Sequence, residues 1–143
     1  MKVYIAAPYG ARDRIRATFK VAVEDAGHEV VSSWLDEDME LTDGTQGAAF
    51  DVSDDDVAKH ALTDLDEILG CDVVVLLTAD IVQTEGGGGR HVETGYAIAC
   101  SKPVLVVGVP ENVFHRMGGR VLITPNTHTA VQMLDALAMG RVL

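Results

Sequence analysis

The sequence predicts an α/β protein: an open five-stranded parallel sheet with helices on both faces, in the flavodoxin-like, Rossmann-like order 2-1-3-4-5. Three observations carry this. Short apolar runs alternate with longer segments whose apolar residues recur at helical spacing, which implies right-handed βαβ units. Two of those runs, Asp72 to Leu77 (DVVVLL) and Val104 to Val107, show no polar alternation, as strands covered on both faces do. At 143 residues the chain suits a single domain, residues 1–143, long enough to bury a core and free of internal repeats.

Each element has its own signal. Lys2 to Ala6 is a β-leaning run ended by Pro8, Tyr9 and Gly10, hence a first strand feeding a loop. Arg14 to Ala26 places Ile15, Phe19, Val21, Ala22 and Val23 at roughly helical spacing, and Gly27 stands where a C-cap would. His28 to Ser32 reads as a second short strand, followed by a long acidic loop. Ser53 and Asp56 resemble a capping box opening a helix through Val57, Leu62, Leu65 and Leu69, stopped at Gly70. DVVVLL is then the central strand. Gly86 to Gly89 supply a backbone free to take positive φ before the next helix, which carries Glu93 in its first turn. Val104 to Val107 is a buried strand, and Val121 to Ile123 a short edge strand at best. Thr127 or Thr129 starts the last helix, with Val131, Leu134, Leu137 and Ala138 facing inward.

Composition narrows the function classes. Hydrophobic residues make up 48% and charged ones 23%, with no apolar run long enough to cross a bilayer. The start, MKVYIAAP, lacks the apolar core and cleavage site of a signal peptide, so a cytoplasmic location is expected. Cys71 and Cys100 belong to no CxxC pair and read as reduced, structural residues. The net charge of −11 is concentrated between Trp34 and Asp56, a stretch without a basic residue, which repels polymeric nucleic acid. DEDMEL there is no calcium loop, because Leu41 stands where an EF-hand needs glycine. Asp56, His60 and Asp64 share one helical face, which a solvated surface explains as well as a metal does; no metal and no cofactor are expected.

Ligands of such sheets bind beyond the carboxyl ends of the strands at the switch point, here between the first and third strands. The loop from Ala7 to Asp13 and the glycine run therefore face one crevice. Peptide dipoles at the helix start would keep Glu93 ionised there, as a nucleophile needs. Pro8, Tyr9, Gly10, Arg12 and Arg14 lie on or beside the first crevice loop, where a guanidinium meets a phosphate or a base edge, or is simply solvated. Trp34 stacks on a nucleobase or pins its loop to the core. His91 contacts the base or is an ordinary polar residue near a helix start.

The segments YIAAPYG, TDLDEILGCDVVVLL and HVETGYAIACSKPVLVV resemble the nucleoside 2-deoxyribosyltransferases and the related hydrolases of nucleoside 5′-monophosphates. The resemblance runs from Lys2 to Gly108, and its most specific element is Glu-x-Gly-Tyr-Ala, matched by Glu93, Gly95, Tyr96 and Ala97. It implies a single nucleoside 2-deoxyribosyltransferase-like domain that cleaves the N-glycosidic bond of a (2′-deoxy)nucleoside. Glu93 would hold the sugar covalently and pass it to another nucleobase. The alternative is hydrolysis of a (deoxy)nucleoside 5′-monophosphate to base and sugar phosphate. By the same resemblance Asp64 assists binding or proton transfer, and Tyr4 orients the carboxylate, although a tyrosine on a buried strand is often plain core. Asn112 is the counterpart of an asparagine lent by a neighbouring subunit to the sugar's 5′ end, which implies a homo-oligomer.

The chain departs from that pattern in the glycine run. Transferases of the family carry an aspartate shortly before the nucleophile and the monophosphate hydrolases a serine; here Glu85 is the nearest acid, and Gly87 and Thr84 stand near the serine's place. The N–H groups of Gly87, Gly88 and Gly89 offer an anion nest instead. The absent loop aspartate also supports a third reading, a nucleotide-binding sensor that turns nothing over.

Overall fold

The computed structural model describes residues 1–36, 54–84, 86 and 88–141. The apolar runs assemble into one parallel sheet of β1 (Lys2–Ala6), β2 (Glu29–Val30), β3 (Val73–Leu77), β4 (Val104–Val107) and β5 (Val121–Thr124). Its order is β2-β1-β3-β4-β5, as the sequence predicts. Tyr4 stands opposite Val74 and Ala6 opposite Leu76, so β1 and β3 end side by side at the switch point. Every side chain of β3 and β4 is buried, because helices cover both faces. Each such Val or Leu contributes about 1.5–3 kcal/mol by leaving water.

On one face α3 (Asp54–Gly70) packs against α5 (Gly89–Ala99). The other face carries a continuous helix over 12–25, formed of α1 (Arg12–Ile15), a π-helical stretch (Arg16–Lys20) and α2 (Val21–Asp25). It inserts Ile15, Phe19 and Val23 into the core and shares a groove with α6 (Thr127–Ala138), lined by Phe19, Ala22 and Val131. Gly27, at φ +84°, ends that helix as expected. Cys71 and Cys100 are free thiols, and no helix among the described residues is long and apolar enough to cross a membrane.

Several boundaries differ from the sequence reading, each for a local reason. The helix after β1 begins at Arg12, two residues early. β2 keeps only Glu29–Val30: Val31 N–H still donates to Val3 C=O at 2.9 Å, and beyond it side chains replace the ladder, with Ile5 N–H donating to Ser32 Oγ and Ile5 C=O accepting from Trp34 Nε1 at 2.9 Å. The cap of α6 is Asn126, whose Oδ1 accepts from Thr129 N at 2.9 Å, rather than either threonine. A short α4 (Ala79–Val82), opened by Thr78, adds an element absent from the sequence reading. β5 extends to Thr124 at the sheet edge. The expected cap Ser53 and the acidic residues from Glu37 to Asp51 lie outside the described residues.

Candidate active site

Three elements bring one side chain each to a common point: Tyr4 from β1, Asp64 from α3 and Glu93 from α5. Tyr4 is fully buried and its hydroxyl donates to Glu93 Oε1 at 3.1 Å. Asp64 is half-buried and also within hydrogen-bond reach of the phenol. Burial, and then the charges of Glu93 and Asp64, push the phenol far above its ordinary range, so Tyr4 stays a neutral donor.

Glu93 departs from the sequence reading. Its helix begins at Gly89, which puts Glu93 in the second turn and leaves no acidic residue in the first. The dipole contribution fades beyond the first turn. Burial and the nearby charge of Asp64 instead push its carboxyl up to about 8, against the hydrogen bond from Tyr4, which lowers it. Among the described residues, Glu93 Oε2 is buried and makes no hydrogen bond. A buried carboxyl oxygen without a donor is costly when charged, so the free protein holds this group largely protonated at neutral pH.

The two crevice loops do meet. A Cβ at Gly86 would come within 2.9 Å of Pro8 Cβ, and one at Gly10 within 3.5 Å of Thr84 Oγ1. Gly86 is thus needed for close approach. None of the described glycines of the run, Gly86, Gly88 and Gly89, takes a positive φ, contrary to the expectation. Gly88 caps α5 at φ −72° and Gly89 opens it, both exposed, whereas Gly87 lies outside the described residues. Arg12 donates to the Tyr9 hydroxyl at 2.7 Å, and Tyr9 lies 6.1 Å from Trp34, ring centre to ring centre. Trp34 is 8% exposed with its indole N–H spent on Ile5, so it pins its segment to β1. Arg14 lines a different groove, with Ile81, Asn126 and Thr127.

His91 and Asn112 lie on another side of α5, in a group the sequence reading did not assemble. Arg90, 8% exposed, donates to Glu111 through both Nε and Nη2, each at 3.1 Å. Glu111 also accepts from Ala79 N at 2.8 Å and lies 3.5 Å from His91 Nε2. Burial alone would raise its carboxyl, but hydrogen bonds from Arg90 and Ala79 N–H, with the charge of Arg90, hold it below the usual range. Burial lowers His91 and His115, leaving both imidazoles neutral at pH 7. Asn112 Oδ1 accepts from the N–H groups of Phe114 and His115, so that oxygen is engaged in its own turn. A cavity of about 480 Å³ borders these residues, walled by Gly95, Ile98, Phe114 and Met117. No sequence motif announces Arg90 or Glu111; their pairing depends on the loop after β4 folding back over the start of α5. Among the described residues, no three His, Cys, Asp or Glu side chains gather as metal ligands would.

Two solved structures share this fold. The CMP N-glycosidase BcmB of Clostridium botulinum aligns over 94% of this chain and 98% of its own, at 21% identity and a TM-score of 0.58. A 2-deoxyribosyltransferase from Bacillus psychrosaccharolyticus aligns over 92% and 90%, at 17% identity and a TM-score of 0.65. No protein-family model matches the chain, and no curated protein matches it by sequence. The chain therefore has the fold of these nucleoside- and nucleotide-cleaving enzymes, a five-stranded parallel α/β sheet matched along nearly its whole length.

Proposed function

We propose that the protein is an enzyme that cleaves the N-glycosidic bond of a (2′-deoxy)nucleoside and transfers the sugar to another nucleobase through a glycosyl-Glu93 ester. The supporting observation is the part-buried contact between Tyr4, in the middle of β1, and Glu93, with Asp64 beside it. Once deprotonated, Glu93 attacks the anomeric carbon; the bond to the base breaks and its electron pair leaves with the base. In this reading solvent takes the Glu93 proton, and Asp64 relays a proton from solvent to the departing nitrogen and carries the proton of the incoming base back. An incoming base then attacks the same carbon and frees the carboxylate. Tyr4 holds the carboxyl in one orientation throughout.

Hydrolysis of a nucleoside 5′-monophosphate is the second reading, favoured by Arg12 on the crevice loop and by the alignment over 98% of the CMP N-glycosidase. The lack of a serine in the glycine run favours transfer. In either case the enzyme works as a cytoplasmic homo-oligomer, for which exposed Phe114 and Met117 of the cavity wall offer an apolar contact face.

Incubation with each deoxynucleoside, ribonucleoside and monophosphate, with and without a competing free base, tests this by chromatography and intact mass. The expected result is released base and a protein heavier by one glycosyl group, absent in Glu93→Ala. Tight nucleotide binding with no base released over hours would instead identify a sensor.

A further inference from the structure

We infer that Arg90 and Glu111 are a positioning pair: their two-pronged ion pair fixes the first turn of α5 against the ends of β3 and β4, and so sets how Glu93 meets Tyr4. The inference rests on the catalytic reading of Glu93 given above. Arg90 is the buried side chain of that first turn, and the next ones along the helix are Thr94 and Ala97. His91 of the same turn also reaches Glu111, at 3.5 Å, and Asn112, at 3.4 Å, while toward the C-terminal end Ala97 is fully buried and its carbonyl accepts from Lys102 N at 2.9 Å. The N-terminal end follows glycines, which bring no side chains to hold it.

Glu111 is suited to be the fixed point. Its carboxylate is tied to Ala79 N directly after β3, and its own N–H donates to His115 Nδ1 at 3.1 Å within the turn after β4. A guanidinium gripped through two nitrogens fixes direction as well as distance, which an ammonium does not. Arg90 precedes Glu93 by three residues, hence by less than one turn, so moving the guanidinium moves the carboxyl. Displacing a reacting group by about 1 Å costs up to ~100-fold in rate.

The test compares wild type with Arg90→Lys and with Arg90→Gln combined with Glu111→Gln, which leaves neither charge buried alone. The readouts are base-release kinetics, the ¹³C NMR titration of the Glu93 carboxyl carbon, and thermal melting. The double variant is expected to melt cooperatively, lose about 10- to 100-fold in kcat at nearly unchanged KM, and titrate Glu93 closer to an ordinary carboxylate. Arg90→Lys should fall between the two. An unshifted Glu93 titration in the folded double variant overturns the inference, as does a loss carried by KM alone or a failure of both variants to fold. The titration needs no turnover, so wild type that releases no base refutes the catalytic reading while the positioning question is still decided.

Discussion

The Tyr4 hydroxyl reaches Glu93 Oε1 at 3.1 Å across 89 residues of sequence, joining a strand clamped between two neighbours to helix α5. In Tyr4→Phe the carboxyl loses its donor in a buried site, about 1–3 kcal/mol of interaction. A loss of about 10- to 100-fold in kcat is expected, with KM little changed. The phenol bond also lowers the Glu93 pKa, so the variant's rate should need higher pH than wild type. Steady-state base release against pH checks both, and an unmoved pH profile would show that the contact does not act on the reacting group.

Asp64 contributes through charge. The free enzyme must ionise Glu93 before attack, and burial with the Asp64 charge sets that group near 8. The kcat/KM profile should therefore rise through pH 7 with a midpoint near 8. Asp64→Asn removes the like charge, and its midpoint should move downward even as the maximal rate falls for lack of a proton carrier. A midpoint that stays in place would remove Asp64 from the electrostatics of the site.

The same burial predicts a stability effect with a definite sign. Glu93 has a folded pKa near 8 against 4.5 as its ordinary value. Between those two pH values the unfolded chain has released a proton that the folded chain keeps, so stability falls as pH rises through the interval and levels off above it. Glu93→Gln removes the liability while keeping an acceptor for Tyr4. The variant's gain over wild type should be larger at pH 8.5 than at pH 4 by on the order of 2–4 kcal/mol, discounted for the partial exposure of the side chain. Urea unfolding at the two pH values measures the difference, and equal gains at both would contradict it.

How much of this was legible in the sequence depends on the range of the interaction. DVVVLL and VLVV named the two strands buried on both faces because that signal is local. The meeting of Tyr4, Asp64 and Glu93 followed from family resemblance and the switch-point rule, which fixes where strand ends converge. The sequence reads Glu93 as ionised by the helix dipole, whereas a helix that begins at Gly89 leaves it beyond the first turn and burial raises its carboxyl instead. Trp34 left two options open, and the carbonyl of Ile5, freed by the early end of β2, decided for pinning. Arg90 with Glu111 could not be read, because an ion pair between a helix start and a distant loop leaves no periodic trace.

Two glycines of one run should answer differently to the same substitution. A Cβ at Gly86 would stand 2.9 Å from Pro8 Cβ and 3.3 Å from Pro8 Cα, and a proline ring has no flexible end that swings aside. In Gly86→Ala the two crevice loops must separate. KM should then rise about 3- to 10-fold, with a lowered melting temperature because Pro8 is buried and only Gly86 of the pair is exposed. Gly88 has nothing within 4 Å of its Cβ position and sits at φ −72°, which alanine adopts without strain. Gly88→Ala should therefore leave both the fold and the loop contact intact. If it nevertheless raises KM as much as Gly86→Ala does, substrate itself must occupy the open space over Gly88, and its glycine is then required by the ligand rather than by Pro8.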